Sequence, residues 1–346
     1  MNIPAEMTVI TISTPGGPEV LLPRLAPVPQ PAPGEVLIRV AAAGVNFPDL
    51  LQRQGKYDPP HGHSPLPGLE VSGIVAALGA EVAGLAIGDA VVALCNGGGY
   101  AEFVAVPAGQ VLPLPAGVDL ISGAALPETF FTIEQTLVMR AGLEPGMTVL
   151  IHGAAGGIGG AAILISRALG AEPIAVVSTP EKAAYVRELG AEMIIDHTTE
   201  DFVTGTLALT DRKGADRVVN IAGGDMLARN IAASARFGAI VQLAGLGGDK
   251  AEISISQFMG RALTLIGSTL RPQSSATKAA IAQSLKDKIW PAFAQGRIGL
   301  PRIRTFPLEA AADAHRAMEQ RENFGKIVLV TAFGRANNAD KPIAHA

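Results

Sequence analysis

The sequence contains one cysteine and few aromatic side chains. Cys95 is the only cysteine in 346 residues, which excludes an intrachain disulfide and any cysteine-rich zinc site and is typical of a reducing compartment. Charged residues make up 17% of the chain, the formal net charge is -4, and no long basic run occurs. The charge pattern therefore does not favour a nucleic acid or an acidic membrane surface as a partner.

The sequence also lacks a targeting or membrane-spanning signal. Its N-terminus has no basic region and no continuous apolar core, so we expect no signal peptide and a cytoplasmic protein. Residues 145–166 carry no Asp, Glu, Lys or Arg, a length that would be sufficient to cross a bilayer. Glycines cluster in this stretch where a turn is needed, so a strand, a turn and a buried helix explain it better.

Apolar residues are abundant, at 48% of the chain, and glycine occurs 40 times. The length suggests two domains. Up to about residue 128, short apolar or alternating runs are separated by Gly and Pro clusters, which predicts the strands of a small barrel or sandwich. These runs are residues 8–14, 36–43, 71–78, 90–94 and 101–106.

From about residue 128, strand and helix patterns alternate, which predicts a parallel sheet covered on both faces. The predicted strands are 148–152, 174–178, 193–196, 217–221 and 239–244, and the first helices are 158–169 and 181–189. Beyond residue 270 we expect a long helix, 276–295, then a strand, 302–306, a helix, 308–321, and a strand, 326–330. The last strand has no obvious place in a finished doubly wound sheet, so we expect it to return to the first domain.

The segment 147–169 carries a glycine-rich strand–turn–helix pattern. An apolar strand runs into Ala154-Ala-Gly156-Gly157-Ile158-Gly159 and then into a helix. This is the dinucleotide fingerprint with alanine in its first place, a motif that needs a tight turn, a close backbone approach to pyrophosphate and a helix N-terminus. We therefore predict a nicotinamide dinucleotide bound by Ala154, Gly156, Gly157, Ile158 and Gly159. The alternative is close helix–strand packing without a ligand.

The residues after the second strand of this domain favour NADPH. NAD enzymes usually place Asp or Glu there to bind the ribose 2′-hydroxyl. Here Ser178 and Thr179 occupy that place, and Lys182 adds positive charge one turn later, which suits a 2′-phosphate. Glu181 is a contrary sign, although an early helix residue is expected to point to water. The alternative for Lys182 is an ordinary solvated helix lysine.

Short segments over nearly the whole chain resemble the medium-chain dehydrogenase/reductase superfamily. They are Pro15-Gly-Gly-Pro18, Gly34-Glu-Val36, Gly44-Val-Asn46, the fingerprint, and Gly325-Lys-Ile-Val-Leu329. The resemblance implies an α/β fold: a GroES-like β-barrel domain of residues 1–127 and 272–333, and a Rossmann NADPH-binding domain of residues 128–271 inserted in it. Residues 334–346 are expected to form a flexible tail.

The same resemblance argues against a metal. Zinc alcohol dehydrogenases of this superfamily have a cysteine at the position of Asn46, a histidine at the position of Leu69 and a four-cysteine lobe that this sequence lacks. Zinc needs about four N, S or O ligands, so we expect no metal site. His61 and His63 lie among Pro and Gly and are expected to form a surface pair.

The closer resemblance is to the zinc-free quinone oxidoreductases, a group that includes zeta-crystallin. Residues 49–60 are similar to the tumour-suppressor-inducible quinone oxidoreductase branch, with further local matches at 127–129 and 267–271. The resemblance implies that Asn46 and Tyr57 line the nicotinamide and substrate pocket as catalytic residues. It also implies cofactor contacts by Asn46, Thr132, His197, Gly245, Leu246 and Asn323.

Some of these side chains are equally suited to structural roles. Asn46 could bond backbone groups of its own loop, and Thr132 could bond within its helix. His197 stands where relatives often have a tyrosine near the adenosine phosphate. A protonated imidazole at that position would make NADPH affinity depend on pH.

We therefore expect an NADPH:quinone oxidoreductase in which Asn46 or Tyr57 stabilises the negative charge left by hydride transfer. One alternative is an NADPH-dependent enone or enoyl-thioester reductase, in which Tyr57 or water supplies a proton. The other is a non-catalytic NADPH-binding module, whose use as an RNA binder the absence of a basic patch disfavours. Residues 261–269 are expected to form an apolar edge strand, which predicts a homodimer because an exposed edge favours aggregation.

Overall fold

In the computed structural model, which describes residues 3–320 and 324–337, the chain packs as two units. Of the described residues, the first includes 3–128, 271–283, 302–320 and 324–337, and the second includes 129–270 and 284–301. No helix in the described part of the chain has both the length and the apolar character needed to cross a bilayer.

The strands follow the predicted change from a β-rich first part to an alternating second part. In chain order they are β1 (Glu6–Ile12), β2 (Leu21–Pro27), β3 (Glu35–Val45), β4 (Glu70–Leu78), β5 (Ala90–Leu94), β6 (Phe103–Pro107), β7 (Val111–Pro113), β8 (Thr148–Ile151), β9 (Glu172–Val177), β10 (Met193–Asp196), β11 (Ala215–Asn220), β12 (Ser234–Gln242), β13 (Thr264–Gly267), β14 (Ile303–Pro307) and β15 (Lys326–Val330).

The helices lie mainly between the strands of the second unit and in the C-terminal part. They are α1 (Phe47–Arg53), α2 (Leu120–Gly123), α3 (Pro127–Ile133), α4 (Gly157–Ala168), α5 (Pro180–Glu188), α6 (Phe202–Leu209), α7 (Met226–Ala233), α8 (Ile255–Gly260), α9 (Ser275–Lys288), α10 (Trp290–Ala294), α11 (Ala311–Gln320) and α12 (Ala332–Asn337). A π-helical segment, Glu134–Arg140, continues α3.

The first unit is built on a seven-stranded sheet. Its strand order is β14-β15-β3-β4-β5-β7, with β6 also paired to β3, while β1 and β2 form a separate hairpin. The last strand, β15, pairs antiparallel with β3, with Ile327 opposite Val45. The C-terminal segment therefore returns to the first unit, as the sequence predicts. The core of this unit consists of buried β-branched and aliphatic side chains such as Ile38, Val75 and Leu329.

The second unit is a six-stranded parallel sheet of order β10-β9-β8-β11-β12-β13. Chain order reverses between β8 and β11, and in open sheets of this kind ligands bind beyond the carboxyl ends of the strands at such a point. Strand β8 lies in the middle of the sheet, and Val149, Leu150 and Ile151 have no exposed surface. This explains why residues 149–151 are all apolar. Strand β13 forms one edge, which confirms the predicted edge strand.

The assignment of residues 284–301 differs from the sequence-based boundaries. Those boundaries placed 272–333 in the first domain, whereas the structure packs 284–301 with the second unit. Ser284 donates a hydrogen bond to Glu134 at 2.6 Å. The rings of Trp290 and Phe293 lie 6.4 and 5.9 Å from that of Phe130. Burial of these aromatic rings accounts for the location.

The single long helix predicted at 276–295 is two helices. α9 ends at Lys288 and α10 begins at Trp290, with Pro291 in its first turn. Proline lacks a backbone N–H and disfavours helical geometry in the residue before it, so it starts a helix more readily than it continues one.

Part of the predicted tail is also helical. α12 covers residues 332–337, and 338–346 lie outside the described residues. The Thr331 hydroxyl accepts a hydrogen bond from the Gly334 N–H at 3.1 Å. A Cβ atom on Gly334 would lie 2.1 Å from the carbonyl oxygen of Ala41, so the absence of a side chain permits the close packing of α12 on β3.

Candidate active site and cofactor site

The turn between β8 and α4 has the geometry of a phosphate cradle. Gly153 adopts φ +62°, a left-handed conformation that favours glycine. Gly156 forms the N-terminal cap of α4 in an extended conformation, with no side chain bonded to the first N–H groups of the helix. Because these N–H groups are not capped and the helix dipole is positive here, the turn suits a phosphate.

Gly159 is needed for the strand and the helix to approach each other. A Cβ atom at this position would lie 2.4 Å from the Gly153 carbonyl oxygen and 2.5 Å from the Ala154 Cα. At Gly156 the nearest atom would be 3.4 Å away, and the residue is exposed. Gly159 thus closes the turn, while Gly156 leaves its outer side open. Gly157 and Ile158 follow as the first, half-buried residues of α4. The cradle therefore fits a dinucleotide.

Ser178, Thr179 and Lys182 meet at the carboxyl end of β9. The Lys182 ammonium donates a hydrogen bond to the Ser178 hydroxyl at 3.0 Å. Thr179 caps α5, with its hydroxyl oxygen accepting from the Lys182 N–H at 3.2 Å. The structure thus gathers a cation and two hydroxyl groups where the fingerprint places the adenosine ribose.

The charges next to this group are mixed. Glu181 is exposed, and hydrogen bonds from its own N–H and from the Thr179 hydroxyl lower its pKa, so the side chain is ionised. His197 is exposed and follows β10 directly. Its N–H donates to the Val177 carbonyl at 3.1 Å, which holds it beside the end of β9. The surroundings of Lys182 therefore include one carboxylate and one imidazole.

The remaining predicted cofactor residues lie on two elements of the second unit. Gly245 and Leu246 are exposed in the loop after β12, where the Leu246 N–H donates to the Ile221 carbonyl at 3.3 Å. Because β8, β11 and β12 are parallel neighbours, this loop leaves the sheet at the same edge as the turn 152–157. Thr132 is half-buried on α3, and its carbonyl accepts from the Thr136 hydroxyl at 2.6 Å. Asn323 lies outside the described residues.

In the first unit, a buried group of polar side chains surrounds the ammonium of Lys326. We call Asn46, Asp49, Glu70, Glu128 and Lys326 the polar cluster. The Lys326 ammonium donates to Glu70 Oε1 at 2.5 Å, to Asn46 Oδ1 at 2.6 Å and to the Val45 carbonyl at 3.4 Å. Lys326 is 3% exposed and Glu70 is fully buried, so the pair is an ion pair within the protein interior.

Asn46 is held on every side by this cluster. Its Nδ2 donates to Glu70 Oε1 at 2.8 Å, and its own N–H donates to Asp49 Oδ2 at 2.9 Å at the start of α1. With Lys326 on Oδ1, both ends of the amide are engaged, and the residue is 6% exposed. Asn46 therefore orders the loop before α1, and one N–H of its amide is left for a ligand.

Asp49 and Glu70 both receive several hydrogen bonds. Asp49 accepts from the N–H groups of Asn46 and Gly68 at 2.9 and 3.0 Å, and from the Tyr100 hydroxyl at 3.3 Å. Burial raises the pKa of Asp49 to about 6, although the backbone bonds oppose the shift. The second oxygen of Glu70 accepts from the Glu128 N–H at 2.9 Å. The hydrogen bonds to Asp49 favour its anionic form, but burial outweighs them.

The donor set around Lys326 does not fit a zinc ion. The side chain that adjoins Glu70 at the predicted zinc-ligand position is Leu69, which is buried and has no ligand atom. The oxygens of Asn46 and Glu70 are already bonded to an ammonium. In residues 3–320 and 324–337, no three His, Cys, Asp or Glu side chains are grouped so that they would hold a metal ion.

Tyr57 lies near Arg271. Its half-buried ring is 5.4 Å from the Arg271 guanidinium carbon. Within the described residues, the Tyr57 hydroxyl has no hydrogen-bond partner, so it is available to a ligand. Burial, followed by the nearby Glu128 carboxyl, raises the pKa of Tyr57, which keeps the phenol protonated. The structure therefore leaves Tyr57 with the free donor that its predicted role requires.

Lys278 and Arg271 are held in place by a short chain of hydrogen bonds. The Lys278 ammonium donates to Asn96 Oδ1 at 2.7 Å and to the Arg271 carbonyl at 2.9 Å. Burial lowers the pKa of Lys278 to about 8. Arg271 in turn donates to Gln52 Oε1 at 2.8 Å. These bonds fix the position of the guanidinium beside the Tyr57 ring.

Sequence reasoning did not identify Glu70, Glu128, Lys278 or Lys326 as site residues. A usable signal was present for Glu70 and Lys326, because each opens an otherwise apolar strand, β4 and β15. The signal is weak, because Glu6, Glu35 and Glu172 also open strands and are not buried. Lys278 is one of several lysines on α9 and gives no comparable signal.

Comparisons with known proteins give a consistent result. Residues 32–116 match the family described as alcohol dehydrogenase GroES-like domain, and residues 157–286 match the family described as zinc-binding dehydrogenase. The chain is 31% identical over 300 residues to a quinone oxidoreductase-like protein 2 homolog of Nematostella vectensis. That alignment covers 86% of this chain and 82% of the relative.

Solved structures are similar over almost the whole chain. A quinone oxidoreductase of Pseudomonas syringae pv. tomato DC3000 has a TM-score of 0.82 and 31% identity, and 94% of this chain and 99% of that one are covered. A mycobacterial protein complexed with NADPH has a TM-score of 0.80 and 30% identity, with the same coverage. The enoyl reductase CurK has a TM-score of 0.80 and 27% identity, covering 95% and 100%. The similarity thus includes sequence as well as fold.

The buried ion pair gives a test of the polar cluster. Lys326→Met should lower the free energy of unfolding by about 3–5 kcal/mol, because it leaves the buried Glu70 carboxylate without a counter-charge. The double variant Glu70→Gln/Lys326→Met should recover at least half of this loss. Urea titrations at neutral pH, followed by circular dichroism, measure both values. Equal losses in the single and double variants would contradict the assignment.

Proposed function

The chain belongs to the medium-chain dehydrogenase/reductase superfamily, and we propose that it is an NADPH-dependent quinone reductase that works without a metal. The observation that supports this best is the pairing of an open phosphate cradle at residues 153–159 with the Lys182–Ser178 contact after β9. The similarity to quinone oxidoreductases supports the class of acceptor.

The cofactor would be held mainly by backbone groups of the second unit. Ala154, Gly156, Gly157, Ile158 and Gly159 would bind the pyrophosphate through N–H groups at the start of α4. Ser178, Thr179 and Lys182 would bind the 2′-phosphate, with His197 beside them. Thr132, Gly245 and Leu246 would bind towards the nicotinamide. When bound, the nicotinamide supplies a hydride.

The first unit would bind and polarise the acceptor. The free Tyr57 hydroxyl donates a hydrogen bond to a quinone oxygen, and the remaining Asn46 N–H is the second available donor. Both stabilise negative charge on that oxygen. The Lys326–Glu70 pair keeps the Asn46 amide in one orientation, so this donor is oriented before the acceptor arrives.

An enone or enoyl-thioester reductase is the second candidate function. The observation that favours it is the similarity to an enoyl reductase over 95% of this chain. In such a reaction, hydride adds to the β carbon and a proton adds to the α carbon. The two functions therefore differ in whether a carbon atom of the substrate must receive a proton.

A panel of acceptors tests the function. Purified protein should oxidise NADPH in the presence of small quinones, and a chelator should leave the rate unchanged because no set of described residues fits zinc. Initial rates are measured by the loss of NADPH absorbance with quinones, enones and enoyl-CoA esters in parallel. Turnover of enones without any quinone activity would overturn the first choice in favour of the second. Tight NADPH binding with no turnover would favour a non-catalytic module.

The 2′-phosphate contact is tested by Lys182→Ala. Loss of a charge-assisted hydrogen bond to phosphate should raise the dissociation constant of NADPH by ~10–100-fold and leave that of NADH nearly unchanged. Cofactor fluorescence titrations give both constants. Lys213→Ala, which removes an exposed lysine elsewhere in the second unit, is the control. Equal weakening for both cofactors would be evidence against the phosphate contact.

The edge of the second sheet supports a homodimer. Strand β13 pairs only with β12 among the described strands, and exposed apolar side chains lie on and near it, namely Phe237, Ile255, Met259 and Leu265. Pairing of two copies would cover this edge. Leu265→Asp should therefore shift the protein from dimer to monomer in sedimentation velocity, whereas Leu25→Asp, at the equally apolar and 72% exposed position of β2, should not. A monomeric wild-type protein would disprove the proposal.

A further inference from the structure

Glu128 is the one acid of the polar cluster whose carboxyl group has no donor. Its backbone N–H donates to Glu70, but among the described residues nothing donates a hydrogen bond to its side-chain oxygens. Glu70 and Asp49 are each bonded to three donors. A carboxyl group without donors is the least stable of the three as an anion.

The balance of charge in the cluster leads to the same result. Glu70 and Asp49 are two acids beside Glu128, and the Lys326 ammonium is the one cation within the cluster. All three of its hydrogen bonds go to Glu70, Asn46 and the Val45 carbonyl, so none reaches Glu128. A third negative charge here would be repelled by the two carboxylates.

The other titratable groups that face Glu128 do not neutralise it. Lys278 on α9 and Arg271 both interact with it electrostatically. The hydrogen bonds of the Lys278 ammonium go to Asn96 and the Arg271 carbonyl, and the Arg271 guanidinium donates to Gln52, so neither cation bonds to the Glu128 carboxyl. Cys95 after β5 is buried and its pKa is raised, so it stays a neutral thiol. Tyr57 stays a neutral phenol. Burial, followed by repulsion from Glu70, raises the pKa of Glu128 to about 8.

Glu128 is also more exposed to solvent than the other two acids of the polar cluster. Asp49 and Glu70 have no exposed surface, whereas Glu128 is only partly buried. It stands in the first turn of α3, close enough to Tyr57 to raise the pKa of that phenol. The carboxyl group thus interacts electrostatically with the hydroxyl that is free to bind an acceptor, and water can reach it from outside.

We propose that Glu128 is the proton donor of the reaction, acting next to Tyr57 on the anion that hydride transfer leaves on the substrate. This rests on the proposed reductase function. In an enone, two electrons and one hydrogen arrive as hydride at the β carbon, the C=C bond becomes a C–H bond and an enolate, and NADPH becomes NADP⁺. The Glu128 O–H bond then breaks, the proton forms the second C–H bond at the α carbon, and the carboxylate regains a proton from water.

The proton donor matters differently for the two substrate classes. A hydroquinone anion is protonated on oxygen, and water performs this step rapidly. An enolate is protonated on carbon, which is slower and benefits from a positioned acid. The dependence on Glu128 is therefore expected to be much larger for enones than for quinones.

The sign of the pH dependence follows from the raised pKa. Glu128 is protonated, and so competent as an acid, below about pH 8. Enone turnover in the wild-type protein should therefore fall as the pH rises through about 8. Glu128→Gln keeps the size and polarity of the side chain but has no proton to give. We expect kcat for enones at neutral pH to fall by ~100-fold, within the usual range for a general acid, with the fall at high pH abolished.

Two further variants separate an acid from a structural residue. Glu128→Asp retains a carboxyl group and should restore part of the rate together with the fall at high pH. Tyr57→Phe removes the neighbouring hydroxyl but leaves the acid, so the fall at high pH should persist whatever the rate. The dissociation constant of NADPH should change less than twofold in Glu128→Gln.

A measurement on the cofactor-free protein tests the protonation state without any turnover. Infrared difference spectra between pH 7 and pH 10, a range that starts above the pKa of about 6 of Asp49, should show a carboxylic acid C=O band that disappears on raising the pH, and most of this band should be absent in Glu128→Gln. An unchanged spectrum in Glu128→Gln, or wild-type enone rates and pH profile in that variant, would overturn the proposal. If the wild-type protein oxidises NADPH with none of the acceptors, the proposed function itself fails, and the proton-donor role fails with it.

Discussion

The first unit depends on the ion pair between Lys326 and Glu70. Placing a carboxylate without exposed surface in a protein costs several kcal/mol unless a counter-charge and hydrogen bonds accompany it. The counter-charge comes from β15, 256 residues later in the sequence. The counter-charge for Glu70 on β4 therefore comes from a strand that follows the whole second unit in the sequence. The ion pair and the pairing of β15 with β3 therefore both place the C-terminal strand in the first unit.

The ion pair also determines what the neighbouring side chains can do. Lys326 and Glu70 engage both ends of the Asn46 amide, and Asn46 in turn begins α1. The short segment after α1 carries Tyr57. Because the hydrogen bonds of Lys326 are fully used inside the cluster, Glu128 is left with a carboxyl group that neither a cation nor a donor of the cluster satisfies. The single cation of the cluster thus bonds to Glu70 and not to Glu128.

The sequence was sufficient for features that are local. The turn 153–159 has its strand, its glycines and its helix within a short stretch of chain, and the alternation of strands and helices repeats on a similar scale. The polar cluster was not predictable in the same way, since its contacts join residues 24, 58 and 256 positions apart. Pro291 would have been sufficient to predict that residues 276–295 form two helices. The packing of 284–301 was not, because it depends on which rings Trp290 and Phe293 contact.

The proposed cofactor site uses backbone groups and the proposed acceptor site uses side chains. For this reason the cofactor site gives little information about the substrate, whereas the acceptor site gives more. The cofactor turn binds through backbone groups and requires the absence of a side chain at Gly159, where a Cβ atom would lie 2.4 Å from a carbonyl oxygen. A requirement of this kind is the same for every substrate, so the turn identifies a dinucleotide and nothing more. In the proposed reaction the acceptor is instead bound by side chains, namely the Tyr57 hydroxyl and the Glu128 carboxyl. A site that offers a free phenol alone suits a quinone, whose anion water can protonate. The proposed acid at Glu128 matters most for a substrate that must be protonated on carbon, so the protonation state of Glu128 bears on which of the two candidate functions the site serves.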